Sequence, residues 1–211
     1  MIEWLFPMPV YCHKPTFDEI FLVQNEIKKN LPNIIENDNW DKPEGWEDEV
    51  ETNIGHRWHS IADYGLTNLE QYIQKHTDLY RNELEPFMNN DIFLSHSWFN
   101  LNKAGHSQEW HAHTDSFISG VYYYQTNGHD GDLMFKNTNQ FAQRGFFPTG
   151  KKVPEKVFYS PVEGMILLFP GWMDHRVQVN KTEDTRITVA FNWLTVNTLR
   201  KGLIKDERTN K

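Results

Sequence analysis

The pattern of apolar residues changes near residue 92 from helical to strand periodicity, and this change restricts the fold more than any other feature. Two helices are predicted before it, over 17–31 and 66–84, each with an apolar face. From residue 93 to 193 the chain is predicted to form roughly eight short strands separated by turns. Helices followed by strands are typical of α+β proteins. We therefore predict a jelly-roll core with N-terminal helices packed on one sheet.

Local signals predict the ends of the first helix and the segment after it. Thr16 is expected to cap the helix together with Glu19, and Pro32 is expected to end it. Segment 37–55 is acidic and rich in Trp, Pro and Gly, which predicts a loop or lid. Residues 5–11, with two prolines, predict an edge strand.

Length, charge and cysteine content exclude several classes of protein. The 211 residues are predicted to form a single domain over 1–211, with a helical part over about 1–90 and the core over about 91–196. A net charge of -8 without a Lys/Arg run predicts no nucleic-acid partner. The only cysteine, Cys12, excludes an intramolecular disulfide and a Cys-based zinc site. Without an apolar run of roughly 18–20 residues or a signal-like start, we expect no membrane span and a cytoplasmic protein.

Histidines in the strand region predict a metal site. His111 and His113 fall in one predicted strand, so alternation places both on the same face, with Asp115 if the strand extends that far. His175 follows an apolar strand that ends in Pro-Gly, which predicts an imidazole at the mouth of the sandwich. Imidazole suits Fe(II), and three ligands on one face leave positions open for a chelating cosubstrate and O2.

An arginine in an apolar strand predicts an anchor for an acidic cosubstrate. A buried Arg186 needs a carboxylate partner, because an unpaired buried charge costs several kcal/mol. A dicarboxylic cosubstrate supplies that partner and binds Arg bidentately; the alternative is an ion pair with an acid of the protein itself. Tyr123 and Ser119 share a strand face and complete the candidate cofactor-binding set. With the histidines, this set predicts a non-haem Fe(II) oxygenase that uses 2-oxoglutarate.

The order of motifs then points to a known family. Residues 111–123 have the sequence His-Ala-His-Thr-Asp-Ser-Phe-Ile-Ser-Gly-Val-Tyr-Tyr, and His175-Arg-Val-Gln and Arg186 follow. This order resembles the small 2OG-Fe(II) oxygenases, related to prolyl-hydroxylase-like dioxygenases, with His-x-His-Pro-x-Ser/Ala before Ser-Gly-Val-Tyr-Tyr. The resemblance covers nearly the whole chain, is specific over about 98–193, and is weak over 33–90.

The resemblance implies a double-stranded β-helix with Fe(II), 2-oxoglutarate and O2. It implies His175 as the distal metal ligand, Arg186 as the residue that binds the far carboxylate of 2-oxoglutarate, and Tyr123 as its hydroxyl partner. Prolyl hydroxylases have His-x-Asp in the first motif, so two ligand sets stay open. One is His111, His113 and His175, with Asp115 orienting an imidazole; the other is His113, Asp115 and His175. We expect the first.

The predicted reaction is hydroxylation of a C–H bond with release of succinate and CO2. The primary substrate, peptidyl or a small molecule, and the oligomeric state are not predicted by the sequence. One alternative is a cupin-type metal enzyme without 2-oxoglutarate, but cupins usually add a Glu that is missing between His113 and Gly131. The other is a non-catalytic jelly-roll binding module, which explains the strands but not the spacing of His and Arg.

Overall fold

The computed structural model describes residues 8–84, 91–137 and 154–196. In these ranges three helices and ten strands occur, with the helices before nearly all of the strands. The helices are α1 (Phe17–Asn37), α2 (Ser60–Asp63) and α3 (Thr67–Glu83). The strands are β1 (Tyr11–His13), β2 (Glu51–Thr52), β3 (Ile92–Asn102), β4 (Gln108–His111), β5 (Ile118–Gln125), β6 (Leu133–Lys136), β7 (Lys156–Tyr159), β8 (Ile166–Pro170), β9 (His175–Val177) and β10 (Arg186–Thr195).

The strands form two antiparallel sheets. The larger sheet has the order β1-β8-β5-β10-β3-β2, and the smaller has the order β4-β9-β6-β7. Each strand pair is antiparallel. In the larger sheet β10 lies between β5 and β3, so its side chains reach the middle of the sheet face. This combination of helices and antiparallel sheets confirms the predicted α+β class.

The helices pack on the outer face of the six-stranded sheet. Ile27 of α1 and Ile73 of α3 belong to the same buried cluster as Phe191 of β10. The ring of Tyr72 on α3 meets the ring of Tyr122 on β5 edge to face, with centroids 5.6 Å apart. Apolar burial on this face fixes the helices to the sheet.

The first helix is longer than its sequence predicts. Its start agrees with the capping prediction, since the backbone N–H of Thr16 donates to the carboxylate of Glu19 at 2.9 Å. The predicted end at Pro32 was wrong, because α1 continues to Asn37. Ile34, beyond the proline, is completely buried in the core. Burying such a side chain contributes about 1.5–3 kcal/mol, comparable with the roughly 3 kcal/mol cost of an interior proline.

Other predicted segments agree in part. Segment 38–55 is irregular apart from β2 and a bridge at Asp41, as predicted for a loop. Of the strand predicted over 5–11, only Tyr11 falls in β1, and residues 5–7 lie outside the described ranges. Within the described ranges, no helix has the length and apolar character to cross a membrane.

Strand alternation in β5 separates the two faces of the larger sheet. Tyr122 belongs to the cluster beneath the helices, whereas Tyr123 belongs to a second buried cluster between the sheets. Phe135 of the smaller sheet and Phe169 of the larger one meet there, with ring centroids 4.9 Å apart. The inner face of the larger sheet is therefore turned toward the smaller sheet, and polar side chains collect there.

Candidate metal centre

Three histidines meet between the two sheets. His111 ends β4 and His175 begins β9, and the two residues are register partners. His113 lies two residues past the end of β4, where its backbone N–H donates to the carbonyl oxygen of Gly171 at 2.7 Å. One nitrogen of each imidazole lies within 4.8 Å of the other two. The three histidines chosen from the sequence thus form one compact group, although His113 falls outside the strand.

Backbone carbonyl groups orient two of these imidazoles. Nδ1 of His111 lies 2.8 Å from the carbonyl oxygen of Glu109, and Nδ1 of His175 lies 2.8 Å from that of Met173. A carbonyl oxygen only accepts, so both Nδ1 atoms carry the proton. Each Nε2 atom is then left with a free lone pair. This is the arrangement in which a metal-binding histidine is normally held, and it fits a divalent transition metal.

Burial keeps the three imidazoles uncharged. It lowers the pKa of His113 to about 3, with a further lowering from His111 and His96. It also lowers the pKa of His111, and it lowers that of His175 well below the usual value. Neutral imidazole is the form that binds a metal ion. Near neutral pH, the three rings can therefore bind a metal ion without first losing a proton.

Asp115 lies apart from this group. It is exposed and does not share the close set of ligand atoms. The reason is local: β4 ends at His111, so strand alternation does not extend to Asp115. Its charge acts instead on His96, whose pKa burial lowers to about 4 against the opposing effect of Asp115.

The inner face of the six-stranded sheet forms the floor of the pocket that contains the histidines. The registers of β5, β10 and β3 place its side chains in rows across the sheet. In order, these rows are Tyr123–Thr188–Asn100, Val121–Ala190–Trp98 and Ser119–Asn192–His96, and Arg186 and Asn102 pair just before the first row. All of them except His96 line the pocket together with the three histidines.

Arg186 lies at one end of this floor, 2% exposed. Its Nη1 group donates to the carbonyl oxygens of Asp130 and Gly131, at 2.7 and 2.6 Å. The carboxylate of Asp130 is also near, at 3.9 Å, but it accepts shorter hydrogen bonds from Thr126 and Asn127. Nε of Arg186 is buried and has no partner among the described residues. An internal acid thus partly balances the charge, while the guanidinium keeps unsatisfied donors.

Tyr123 and Ser119 differ in their surroundings although they share a face. Tyr123 is buried, and burial raises the pKa of its hydroxyl while Arg186 lowers it. The Ser119 hydroxyl donates to Oδ1 of Asn192 at 2.7 Å. Four residues separate the two along β5, about 13 Å. They therefore lie toward opposite ends of the floor.

Several pocket residues were not singled out from the sequence. Trp98 lies against His113, with ring centroids 5.9 Å apart, and Gln108 and Thr188 line the same pocket. Trp98 had a usable signal, because it alternates with Asn100 along one strand. Gln108 had none, since its position depends on how β4 pairs with β9 across the sandwich.

The tryptophans in and just after the predicted lid segment, 37–55, lie at different places. Trp46 stacks near His111, with ring centroids 6.5 Å apart. The rings of Trp58 and His96 meet edge to face with centroids 3.8 Å apart, and Trp58 is 53% exposed. Trp40 packs instead against the helical cluster. Two of the three tryptophans thus lie beside the site or its rim.

Solved structures with a similar fold include two prolyl hydroxylases and a protein crystallised with nickel and 2-oxoglutarate. A Pseudomonas putida prolyl-4-hydroxylase has a TM-score of 0.61 at 15% identity, covering 89% of this chain and 93% of its own. A Trichoplax adhaerens prolyl hydroxylase in complex with a hypoxia inducible factor peptide fragment has a TM-score of 0.59 at 13% identity, covering 87% and 82%. HygX from Streptomyces hygroscopicus, with nickel and 2-oxoglutarate bound, has a TM-score of 0.58 at 11% identity, covering 90% and 84%. At these identities the likeness establishes the fold.

Family comparison supplies the class of enzyme. No curated protein matches the sequence. A family model described as "Putative 2OG-Fe(II) oxygenase" matches residues 96–192, which contain the three histidines and Arg186. Fold, histidine group and family match together define a non-haem Fe(II) enzyme with 2-oxoglutarate and O2 as cosubstrates. This match over residues 96–192 confirms the resemblance to 2OG-Fe(II) oxygenases seen in the sequence.

Proposed function

We propose that the chain hydroxylates a C–H bond of a peptidyl or small-molecule substrate, with His111, His113 and His175 as the iron ligands. The observation that carries this proposal is the joint placement of three uncharged imidazoles, two of them oriented by backbone carbonyl groups, and one buried arginine in a single pocket. A cupin-type enzyme without 2-oxoglutarate does not account for the buried arginine. A non-catalytic binding module does not account for the histidine group.

The two ends of the floor have different roles in this proposal. Arg186 and Tyr123 hold the far carboxylate of 2-oxoglutarate, since Nε of Arg186 lacks a partner among the described residues and the tyrosine hydroxyl lies in the same buried region. Hydrogen bonds from Nη1 to the carbonyl oxygens of Asp130 and Gly131 orient the guanidinium. Ser119, the other residue predicted to bind the cosubstrate, lies toward the opposite end of the floor, where it is hydrogen-bonded to Asn192.

The chain's own residues bind, orient and exclude water. Bound Fe(II), with 2-oxoglutarate and O2, supplies the oxidising power for hydroxylation with release of succinate and CO2. The carbonyl groups of Glu109 and Met173 hold the imidazoles of His111 and His175 in the metal-binding tautomer. Trp98 and Trp46 flank the group with apolar surface, which limits water near the reacting centre.

The proposed architecture is a single domain over 1–211 with a double-stranded β-helix, or jelly-roll, core. Two facing antiparallel sheets with the site between them support this description. The helices on the outer face of the larger sheet support the predicted bracing layer.

Anaerobic titration of the protein with Fe(II) and then 2-oxoglutarate tests the proposal. We expect a visible charge-transfer band that saturates with 2-oxoglutarate, because the 2-oxo acid end chelates the metal. Arg186→Ala should weaken binding of the cosubstrate at least tenfold, and Arg186→Lys should give an intermediate affinity. No band, with tight zinc binding instead, would favour a cupin-type enzyme; no metal binding at all would favour a binding module.

A further inference from the structure

A second polar row lies across the pocket floor, at the end away from Arg186. It consists of Ser119 of β5, Asn192 of β10 and His96 of β3, joined by register. Ser119 and Asn192 are 2% and 7% exposed, yet both line the pocket. A row of apolar side chains separates these residues from Tyr123 and Thr188. The floor is therefore polar at both ends and apolar in the middle.

The hydrogen bond within this row leaves a donor free. The Ser119 hydroxyl donates to Oδ1 of Asn192 at 2.7 Å, so Oδ1 rather than Nδ2 of the amide faces Ser119. The Nδ2 group of Asn192 then has no hydrogen-bond partner among the described residues. Nδ2 does not belong to the buried side-chain atoms that lack a partner, and Asn192 lines the pocket, so this donor is open to a ligand or water there. Nδ1 of His96, by contrast, is buried without a partner in the described part of the chain.

This row lies beside the histidine group and far from the arginine. Asn192 is six residues from Arg186 along β10, about 20 Å. Phe169 is the register partner of Ser119, and its ring lies 4.8 Å from that of His175. A cosubstrate held between the histidines and Arg186 extends away from Asn192. The amide is therefore placed to meet a different molecule.

Charge restricts what that molecule presents to the amide. Apart from the histidines, the described residues that line the pocket include one charged side chain, Arg186, which the cosubstrate carboxylate engages. The acid Asp115 lies near His96 at the opposite end. Among the described residues that line the pocket, no cationic side chain lies at this end to pair with a second buried carboxylate, which is unfavourable. An uncharged carbonyl oxygen needs only the donor that Asn192 offers.

We propose that Asn192, oriented by Ser119, binds the uncharged carbonyl oxygen of an amide in the primary substrate, and so selects amide-bearing substrates over free carboxylates. This inference rests on the proposed function and adds the substrate class to it. Asn192 contacts the substrate, whereas Ser119 is a positioning residue. Trp58, exposed and packed on His96, offers an apolar face beside the same row.

Paired probes test the proposal. The N-acetyl amides of the common amino acids are compared with the matching N-acetyl amino acids that carry a free carboxylate, and succinate formed above the substrate-free rate is measured. We expect stimulation by members of the amide set and at least tenfold less by the matched acids. Calorimetric titration of the best amide into protein loaded with Mn(II) and 2-oxoglutarate measures binding without turnover. Stimulation by the acids, or by neither set, overturns the proposal.

Two aspartate variants separate the ends of the pocket. Asn192→Asp replaces the donor with a carboxylate of the same shape and should raise the KM for the best amide at least tenfold, with a much smaller change in the KM for the cosubstrate. Asn100→Asp, the matched control in the row beside Arg186, should show the reverse pattern. An Asn192→Asp effect mainly on the cosubstrate would show that the amide serves 2-oxoglutarate, and would overturn the proposal.

Serine variants keep the test informative if Asn192→Asp does not fold. Ser119→Ala removes the hydroxyl that orients the amide, and should raise the KM for the amide probe severalfold with little change in kcat. Ser119→Thr keeps the hydroxyl and should restore the original KM. An equal loss of kcat in both variants, without a KM change, contradicts the positioning role. The visible band with Fe(II) and 2-oxoglutarate is read in every variant, so failure of the proposed function itself would appear separately.

Discussion

His111 and His175 are register partners in the smaller sheet, and their ring centroids lie 4.2 Å apart. One residue ends a strand and the other begins one, so backbone pairing between β4 and β9 sets their separation. His113 joins them from a turn held by a hydrogen bond to the carbonyl oxygen of Gly171. The sheet thus fixes two of the histidines and a local turn fixes the third.

The ligand set is tested by comparing His111→Ala with Asp115→Asn. We expect His111→Ala to weaken Mn(II) or Fe(II) binding at least a hundredfold, since one of the three ligands is lost. Asp115→Asn should change the affinity less than threefold, because Asp115 is exposed and outside the group. Calorimetric titration with Mn(II) measures both.

His129→Ala is the matched control, because His129 is exposed and does not belong to the group. It should bind the metal as the unmodified protein does. A large loss of affinity in Asp115→Asn, with His111→Ala still binding, would select the other ligand set, His113, Asp115 and His175.

Gly131 leaves space for the guanidinium of Arg186. Its φ is +102°, and a Cβ there would lie 2.4 Å from the carbonyl oxygen of Gln178 and 3.2 Å from Nη1 of Arg186. We expect Gly131→Ala to displace the guanidinium and raise the KM for the cosubstrate about tenfold. Steady-state kinetics with varied 2-oxoglutarate measure this.

Gly128→Ala controls for backbone strain in the same turn. Gly128 also has a positive φ, +81°, but a Cβ there meets nothing closer than 3.8 Å. Both variants should lose roughly 1–2 kcal/mol of unfolding free energy from strain. Only Gly131→Ala should raise the KM for 2-oxoglutarate. An equal rise in KM in both variants would contradict the claim that Gly131 leaves space for the guanidinium of Arg186.

Local patterns predicted much of this molecule, and long-range pairing accounts for what they missed. The capping pair Thr16 and Glu19 and the alternation of β5 follow from neighbouring residues alone. The continuation of α1 past Pro32 could not be predicted in this way, because it depends on burial of Ile34 against other elements. The sequence also did not identify Asp130 as the partner of Arg186, since Asp130 lies in a turn 56 residues earlier in the chain.

The site shows the same division. The histidines and Arg186 were identified because few residue types bind metals or carboxylates, so their presence in apolar strands carried information. The strand end at His111, which separates Asp115 from the group, depends on where β4 stops pairing with β9. Sequence periodicity does not determine that point.

Gly120 allows a close contact beneath the helices. A Cβ there would lie 2.4 Å from the ring of Phe191 and 2.8 Å from Leu168. We expect Gly120→Ala to lower the unfolding free energy by about 1–3 kcal/mol through overpacking. Adding Phe191→Leu should recover part of this loss by making space. Urea unfolding measures the three proteins beside Gly55→Ala, a control at which a Cβ meets nothing within 4 Å. Equal stability of Gly120→Ala and the unmodified protein would contradict the packing argument.

His76 makes the stability of the fold depend on pH. It is 1% exposed, its Nδ1 lies 2.8 Å from the Tyr11 hydroxyl, and its Nε2 has no partner among the described residues. Burial lowers its pKa to about 4, with lowering by His13 and Lys75 and an opposing effect of Glu19. The unfolded chain, with a histidine pKa of about 6.5, therefore binds more protons than the folded chain between these values.

Stability should then be complete above about pH 6.5 and fall as the pH drops toward 4, by up to about 3 kcal/mol from this residue. His76→Gln removes the titrating group while keeping a polar side chain. Urea unfolding at pH 7 and pH 5 should give a difference in unfolding free energy that is about 2 kcal/mol smaller in His76→Gln than in the unmodified protein. His129→Ala, which removes an exposed histidine, should keep the full difference. If His76→Gln keeps it as well, protonation of other groups accounts for the acid sensitivity, and the buried imidazole contributes none of it.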